Sequence, residues 1–140
     1  MRLVDILLGA NILLLMGYAA IWDAKCRIIP NIAPAALMAL GIAAAFLPSD
    51  SYWAIPLLNR VAGFALPTVT LLTLHFLKKP VGGGDFKLCA ALGVLLGLHF
   101  FAIAYLIGGI VAVVWARMKK QKSVPLAVFL MIGVVICLLL

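Results

Sequence analysis

Long apolar runs separated by short basic gaps dominate this chain. The first runs from about Val4 to Trp22, the second from Ile32 to Leu47, the third from Ile55 to Leu77, and the last from Leu126 to Leu140. A longer one, from Phe86 to Ala116, is interrupted only by Lys87 and His99. A bilayer span needs about 20 apolar residues, so the pattern predicts an all-α, polytopic membrane protein. Composition agrees: 67% of the residues are hydrophobic and 11% charged, against about 45–50% and about 25% in soluble domains. A soluble single-domain enzyme is excluded, and so is disorder, which needs few apolar residues.

The stretch from Phe86 to Ala116 decides the span count. As one helix it would extend roughly 45 Å, too long for a ~30 Å hydrocarbon core without strong tilt. Two short spans turning near Gly97-Leu98-His99 fit better. Charge supports this choice. The chain carries 11 Lys plus Arg against 4 acids, a net charge of +7. With six transmembrane helices, Lys25 and Arg27 share a side with Lys78, Lys79, Lys87, Arg117, Lys119, Lys120 and Lys122. Only Arg2 and Arg60 lie opposite. Basic loops stay in the cytoplasm, so both termini are expected outside. The expectation is one transmembrane domain over residues 1–140, with no soluble cytoplasmic domain. Basic residues dispersed in loops also argue against a nucleic-acid partner, which needs a basic patch on a solvated face. A cleaved signal peptide ending near Gly17-Tyr18-Ala19 is the competing reading of the first run.

Prolines mark the span borders, except Pro67, which is expected to kink the third span. Ala35, Ala39 and Ala43 form a small face on the second span, and Gly93-x-x-x-Gly97 forms another on the fourth; both predict close helix packing. Trp22, Trp53 and Trp115 fall near span ends, as interfacial aromatics do. Arg60 is expected to snorkel to the outer interface, and His75 and His99 to have helix-end or loop roles. Cys26, Cys89 and Cys137 are far apart and give neither a disulfide framework nor a zinc site. No metal and no cofactor are expected.

All four acids are Asp. An acid near hydrocarbon is expensive and needs a reason. Asp5 and Asp50 fall near the outer surface and are expected to be solvated. Asp23 ends the first span and Asp85 opens the fourth, so both lie at the cytoplasmic boundary, at one depth. Two carboxylates that meet cannot both ionise; they share a proton. The ionised one can take a proton from water, and the protonated one can give its proton to a carbonyl oxygen. Helix dipoles suggest which is which. Asp23 follows a helix C-terminus and Asp85 sits at a helix N-terminus, so Asp85 is expected to be the ionised base.

Asp85 lies in Val81-Gly82-Gly83-Gly84-Asp85-Phe86-Lys87-Leu88. Gly82 and Gly84 allow backbone geometries closed to other residues and let another chain approach. A flexible loop with a capping Asp is the plainer reading. A phosphate cradle is disfavoured, because no Lys-Ser/Thr follows and Asp85 would repel the anion.

The first acid lies in Asp23-Ala24-Lys25-Cys26-Arg27-Ile28-Ile29-Pro30-Asn31. Asp-x-x-x-Arg-x-Ile-Pro-Asn after the first span, with Gly-x-Gly-Asp-x-Lys-Leu opening the fourth, resembles the prepilin peptidase family. Leu92-Gly93, Leu96-Gly97 and Val124-Pro125-Leu126 are also similar. The resemblance implies an aspartic endopeptidase of the inner (cytoplasmic) membrane with its active site facing the cytoplasm. Its substrate would be a prepilin or pseudopilin precursor, cut at its short basic leader, and its other partner the lipid bilayer. Asp23 and Asp85 match the family's two aspartates. Long, bifunctional members carry a cytoplasmic domain with paired cysteines and also N-methylate the product. This sequence has neither feature, so it resembles the small, single-function type associated with tight-adherence (Flp) pili, and methyl transfer is not expected. Presenilin-like proteases share Gly-x-Gly-Asp, but Pro125-Leu126-Ala127 is not their Pro-Ala-Leu motif.

Three residues carry two readings each. Lys87 could bind an acid on the substrate or set topology. Arg27 and Asn31 could orient the loop or hold substrate backbone, and Asn31 could equally cap the second span. Two other functions compete with the peptidase. A small proton-coupled transporter or channel subunit would relay protons through Asp23 and Asp85, though such acids usually lie near the midplane. A non-enzymatic pilus or secretion assembly protein would need no second aspartate.

Overall fold

The computed structural model describes residues 3–77, 82–120 and 124–139. Arg2, Lys78, Lys79, Pro80, Val81, Lys122 and Leu140, used in the sequence reading, lie outside the described residues. All regular structure among the described residues is helical: α1 (Leu3–Cys26), α2 (Ile32–Ala44), α3 (Leu57–Phe76), α4 (Gly83–Lys119) and α5 (Leu126–Leu139). α1 and α4 are long and apolar enough to cross a membrane, and α2, α5 and Leu57–Thr73 of α3 are shorter apolar helices. Leu14, Leu58, Leu106 and Ile110 are exposed on the outward faces. Exposed apolar surface on this scale marks a membrane or partner interface.

α4 is not one rod. Gly97 has φ 70° and ψ 172°, which no helix contains. At such a φ any side chain would be strained, which is why glycine stands here. The chain folds back at this point. Tyr105 lies in the field of Cys89 and Asp85, although a straight helix would carry it about 24 and 30 Å from them. Residues 83–96 and 98–119 therefore form a helical hairpin, with the turn where the length argument predicted it. Asn59 fixes the turn, its Oδ1 accepting the Leu98 N–H at 3.1 Å.

Contacts sort the helix ends into two sets. At one end, the Trp53 indole Nε1 donates to the Asp5 carbonyl and Cys137 approaches Phe100. At the other, α1 ends, the α4 hairpin begins and finishes, and α2 and α5 start. Lys25, Arg27, Lys87, Arg117, Lys119 and Lys120 belong to this second end. Glycines set the helix spacing. A Cβ on Gly63 would strike the Gly93 carbonyl, and one on Gly93 the Gly63 carbonyl. On the other side, Gly133 meets Ala104, and Gly108 meets Phe129. The Gly93-x-x-x-Gly97 face thus packs as expected.

Four expectations are corrected. Ala35, Ala39 and Ala43 point outward, and α2 packs instead through Ala33, Pro34, Leu37, Gly41 and Ala44. Asp5 is buried rather than solvated, and its carboxylate accepts the Ser51 hydroxyl. Trp53 is buried beside it. Arg60 does not snorkel. It is 2% exposed, and its guanidinium donates to the carbonyls of Gly41, Trp53, Ile55, Val94 and Leu95. In each case hydropathy gave the depth of the residue but not the face it presents.

Candidate active site

Asp23, Arg27, Asn31, Gly82, Gly84, Asp85 and Lys87, the seven residues singled out from the sequence, line one open pocket of ≈ 410 Å³. Ile28, Ile29 and Gly83 complete its wall. The local folding explains the convergence. α1 stops at Cys26, and Arg27 turns the chain with a left-handed φ of 56° while its N–H bonds the Asp23 carbonyl at 3.0 Å. Pro30 then blocks further helix, and the segment crosses the end of the bundle before α2 begins.

On the opposite wall, Gly82 is the N-cap of α4 and Asp85 its third residue. An acid there is favoured by the helix N-terminus. Gly82 leaves room for its carboxylate, because a Cβ on Gly82 would lie 3.0 Å from Asp85 Oδ2. Gly84 lets α4 approach the first loop; its Cβ would lie 2.9 Å from the Ile29 Cβ. Gly83 faces open space. Gly84→Val would therefore separate the two walls. The expected outcome is loss of activity with normal accumulation in the membrane, checked by immunoblot and a cleavage assay; full activity would show that the glycines are a plain linker.

Asp23 is buried, and its Oδ2 accepts the backbone N–H of Ala127 at 2.9 Å. Ala127 is the second residue of α5, just after Pro125. The sequence carried no sign of this donor beyond the Val124-Pro125-Leu126 motif. It also changes the dipole argument. Asp23 lies in the last turn of α1, but its carboxylate meets the start of α5, so both acids sit at helix N-termini. The distinction between acid and base drawn from α1 alone is lost. Asp85 lies in the field of Asp23. Lys87 Nζ donates to Asn31 Oδ1 at 3.0 Å, bridging the two walls. Asn31 precedes α2, but its side chain makes no capping bond.

Ala127→Pro tests the new donor. Proline is tolerated in the first turn of a helix, where the N–H has no intrahelical partner. The variant replaces a donor with a ring carbon that presses on Asp23. With a bond to a charged group worth about 1.5–3 kcal/mol, kcat should fall roughly 10- to 100-fold at normal membrane level. Unchanged kcat would mean that α5 does not position Asp23.

The chain is thus an apolar helical bundle with a carboxylate pair in a pocket at one end. A model of the type IV leader peptidase family matches residues 10–117, and the chain belongs to that family. The prepilin leader peptidase/N-methyltransferase of Bacillus subtilis (strain 168) is 36% identical over 121 residues, covering 81% of this chain and 47% of that protein. The chain spans about half the length of this curated relative. No solved structure matches it. The matched family region holds all seven pocket residues predicted from the sequence, whereas Ala127 lies beyond it.

Proposed function

We propose that this protein is an aspartic endopeptidase of the inner membrane that removes the basic leader of a prepilin on the cytoplasmic side. The observation that carries the reading is the shared pocket of Asp23 and Asp85, in a chain of the leader peptidase family. The two carboxylates hold one proton between them. The ionised one takes a proton from water as the water oxygen attacks the scissile carbonyl carbon. The protonated one gives its proton to the carbonyl oxygen. When the tetrahedral intermediate collapses, the C–N bond breaks and the leaving nitrogen takes a proton from the pair. No covalent enzyme intermediate forms.

The small, single-function Flp-type reading rests on the motifs and on the direct passage from α1 through Asp23 to α2. Coexpression with a tagged Flp-type pilin precursor tests it: mass spectrometry should find the leader removed and the new N-terminus unmethylated. An uncut precursor would refute the peptidase, and a methylated product the single function.

Six spans are proposed, with the α4 hairpin supplying two of them. The gathering of Lys25, Arg27, Lys87 and Arg117–Lys120 at the pocket end supports a cytoplasmic pocket. Reporter fusions at Lys120 and Asp50 should report opposite sides of the membrane. The same side for both would overturn this topology.

A further inference from the structure

We propose that the gap between α2 and α3 is a docking groove for an apolar, membrane-spanning helix of the peptide substrate, which slides in from the bilayer and delivers the bond beside its end to Asp23 and Asp85. The proposal rests on the peptidase reading and adds where the substrate lies and what part of it is held.

The gap is built into the packing. α2 and α3 are consecutive helices, yet among the described residues their backbones do not pack together, and the hydrogen bond from the Arg60 guanidinium to the Gly41 carbonyl links them across the gap. Each leans on the first half of α4. α3 does so through Gly63 against Gly93, and α2 through Gly41 against Leu95. Phe86, Ala90 and Val94 form the floor between them. These are four residues apart, so they share one face of α4. Met38 on α2, Ala45 just past its end, and Val61 and Phe64 on α3 face the gap from the sides.

The gap is divided into two cavities, of ≈ 400 and ≈ 300 Å³, and Phe64 lines both. The 13 residues of α2 alone give a wall about 20 Å long. That is most of a ~30 Å hydrocarbon core. The groove is apolar except for Asn31 and Lys87 at its inner end. Arg60 reaches it, but its guanidinium is held by backbone carbonyls.

Continuity with the acid pocket decides the occupant. Asn31 and Lys87 line both the inner cavity of the groove and the Asp23–Asp85 pocket. A helix in the groove would end at the Lys87–Asn31 bridge, with the two carboxylates just beyond it. Its apolar turns would match the walls, and the unwound residues past its end would reach the carboxylates. A soluble peptide has no use for such a wall, and a lipid tail has no reason to end at two acids.

The test uses the full-length chain and a tagged precursor that keeps its leader and its apolar segment. A photoreactive phenylalanine at Ala35 or Val61, in an Asp85→Asn background that leaves the precursor uncut, should form adducts with the precursor's apolar segment. The same probe at Ile110, an exposed residue on the returning half of α4, should form none. Separately, Ala45→Trp fills the outer part of the groove from an exposed position. It should raise KM for the precursor about tenfold, a loss of ~1.4 kcal/mol, with kcat unchanged, as expected when binding alone is lost. Ile110→Trp should change neither. Equal adducts at Ile110, adducts only with lipid or a second copy of this chain, or an unchanged KM in Ala45→Trp would each overturn the groove while wild-type cleavage stands. Failure of the wild-type chain to cut the precursor would overturn the peptidase reading itself.

Discussion

Asp23→Asn and Asp85→Asn should each stop leader removal, and the double variant should be no worse than either alone. The asparagine at position 23 keeps an oxygen for the Ala127 N–H, so the α1–α5 contact survives while the charge and the titrating proton are lost. The loss should be about 10³-fold, within the ~10²–10⁴ that a positioned general acid or base contributes. In the proposed mechanism the two acids share one proton, and residues that act as a unit are non-additive. Single and double variants assayed side by side, at matched membrane levels, give the comparison. A single variant that cleaves at near wild-type rate would end the dyad mechanism, and a double variant far below both singles would show two independent roles.

The largest structural effect is expected at Arg60. Its guanidinium serves carbonyls near the ends of two helices. Gly41 lies in the last turn of α2, where the Ala45 N–H has gone to Ile42 instead, and Val94 and Leu95 lie in the last turn before the break at Gly97. Carbonyls at a helix end have no intrahelical donor. In a bundle surrounded by lipid, no water replaces the missing bonds. Arg60→Leu leaves these carbonyls and that of Ile55 without their donor, while the Trp53 carbonyl keeps the Ile55 N–H. At about 1–3 kcal/mol for each buried acceptor left unpaired, two or three such losses approach the ~5–15 kcal/mol that holds a typical domain together. The variant should melt well below wild type in detergent and fail to accumulate in membranes. Arg60→Lys keeps a charge and three donors but loses the planar fork, and should fall between them. A melting temperature unchanged in Arg60→Leu would show that the carbonyls find other partners.

The helices were legible because lipid imposes a simple demand on sequence. Runs of apolar residues mark the helices, and the excess length between Phe86 and Ala116, with a glycine at its centre, marks the hairpin. The pocket residues were legible because acids and glycines at a membrane boundary are conspicuous. What hydropathy does not encode is direction around a helix. Ala35, Ala39 and Ala43 have the right spacing for packing, yet the neighbouring stripe through Leu37 and Gly41 was the one that α4 selected. Arg60 reads as a surface charge until the packing of α3 against the first half of α4 brings the Val94 and Leu95 carbonyls to it. The Ala127 donor is a backbone group and has no residue signature at all.

The bond between Asp23 and Ala127 joins residues 104 positions apart, which fixes an order of events during synthesis. The ribosome makes α1 well before α5. Asp23 therefore enters the membrane long before the group that holds it exists, and until α5 is inserted its carboxylate lacks the Ala127 N–H. A nascent chain carries both aspartates yet has no finished site. On the proposed mechanism, a chain stalled before α5 would carry both acids and still lack the contact that positions Asp23.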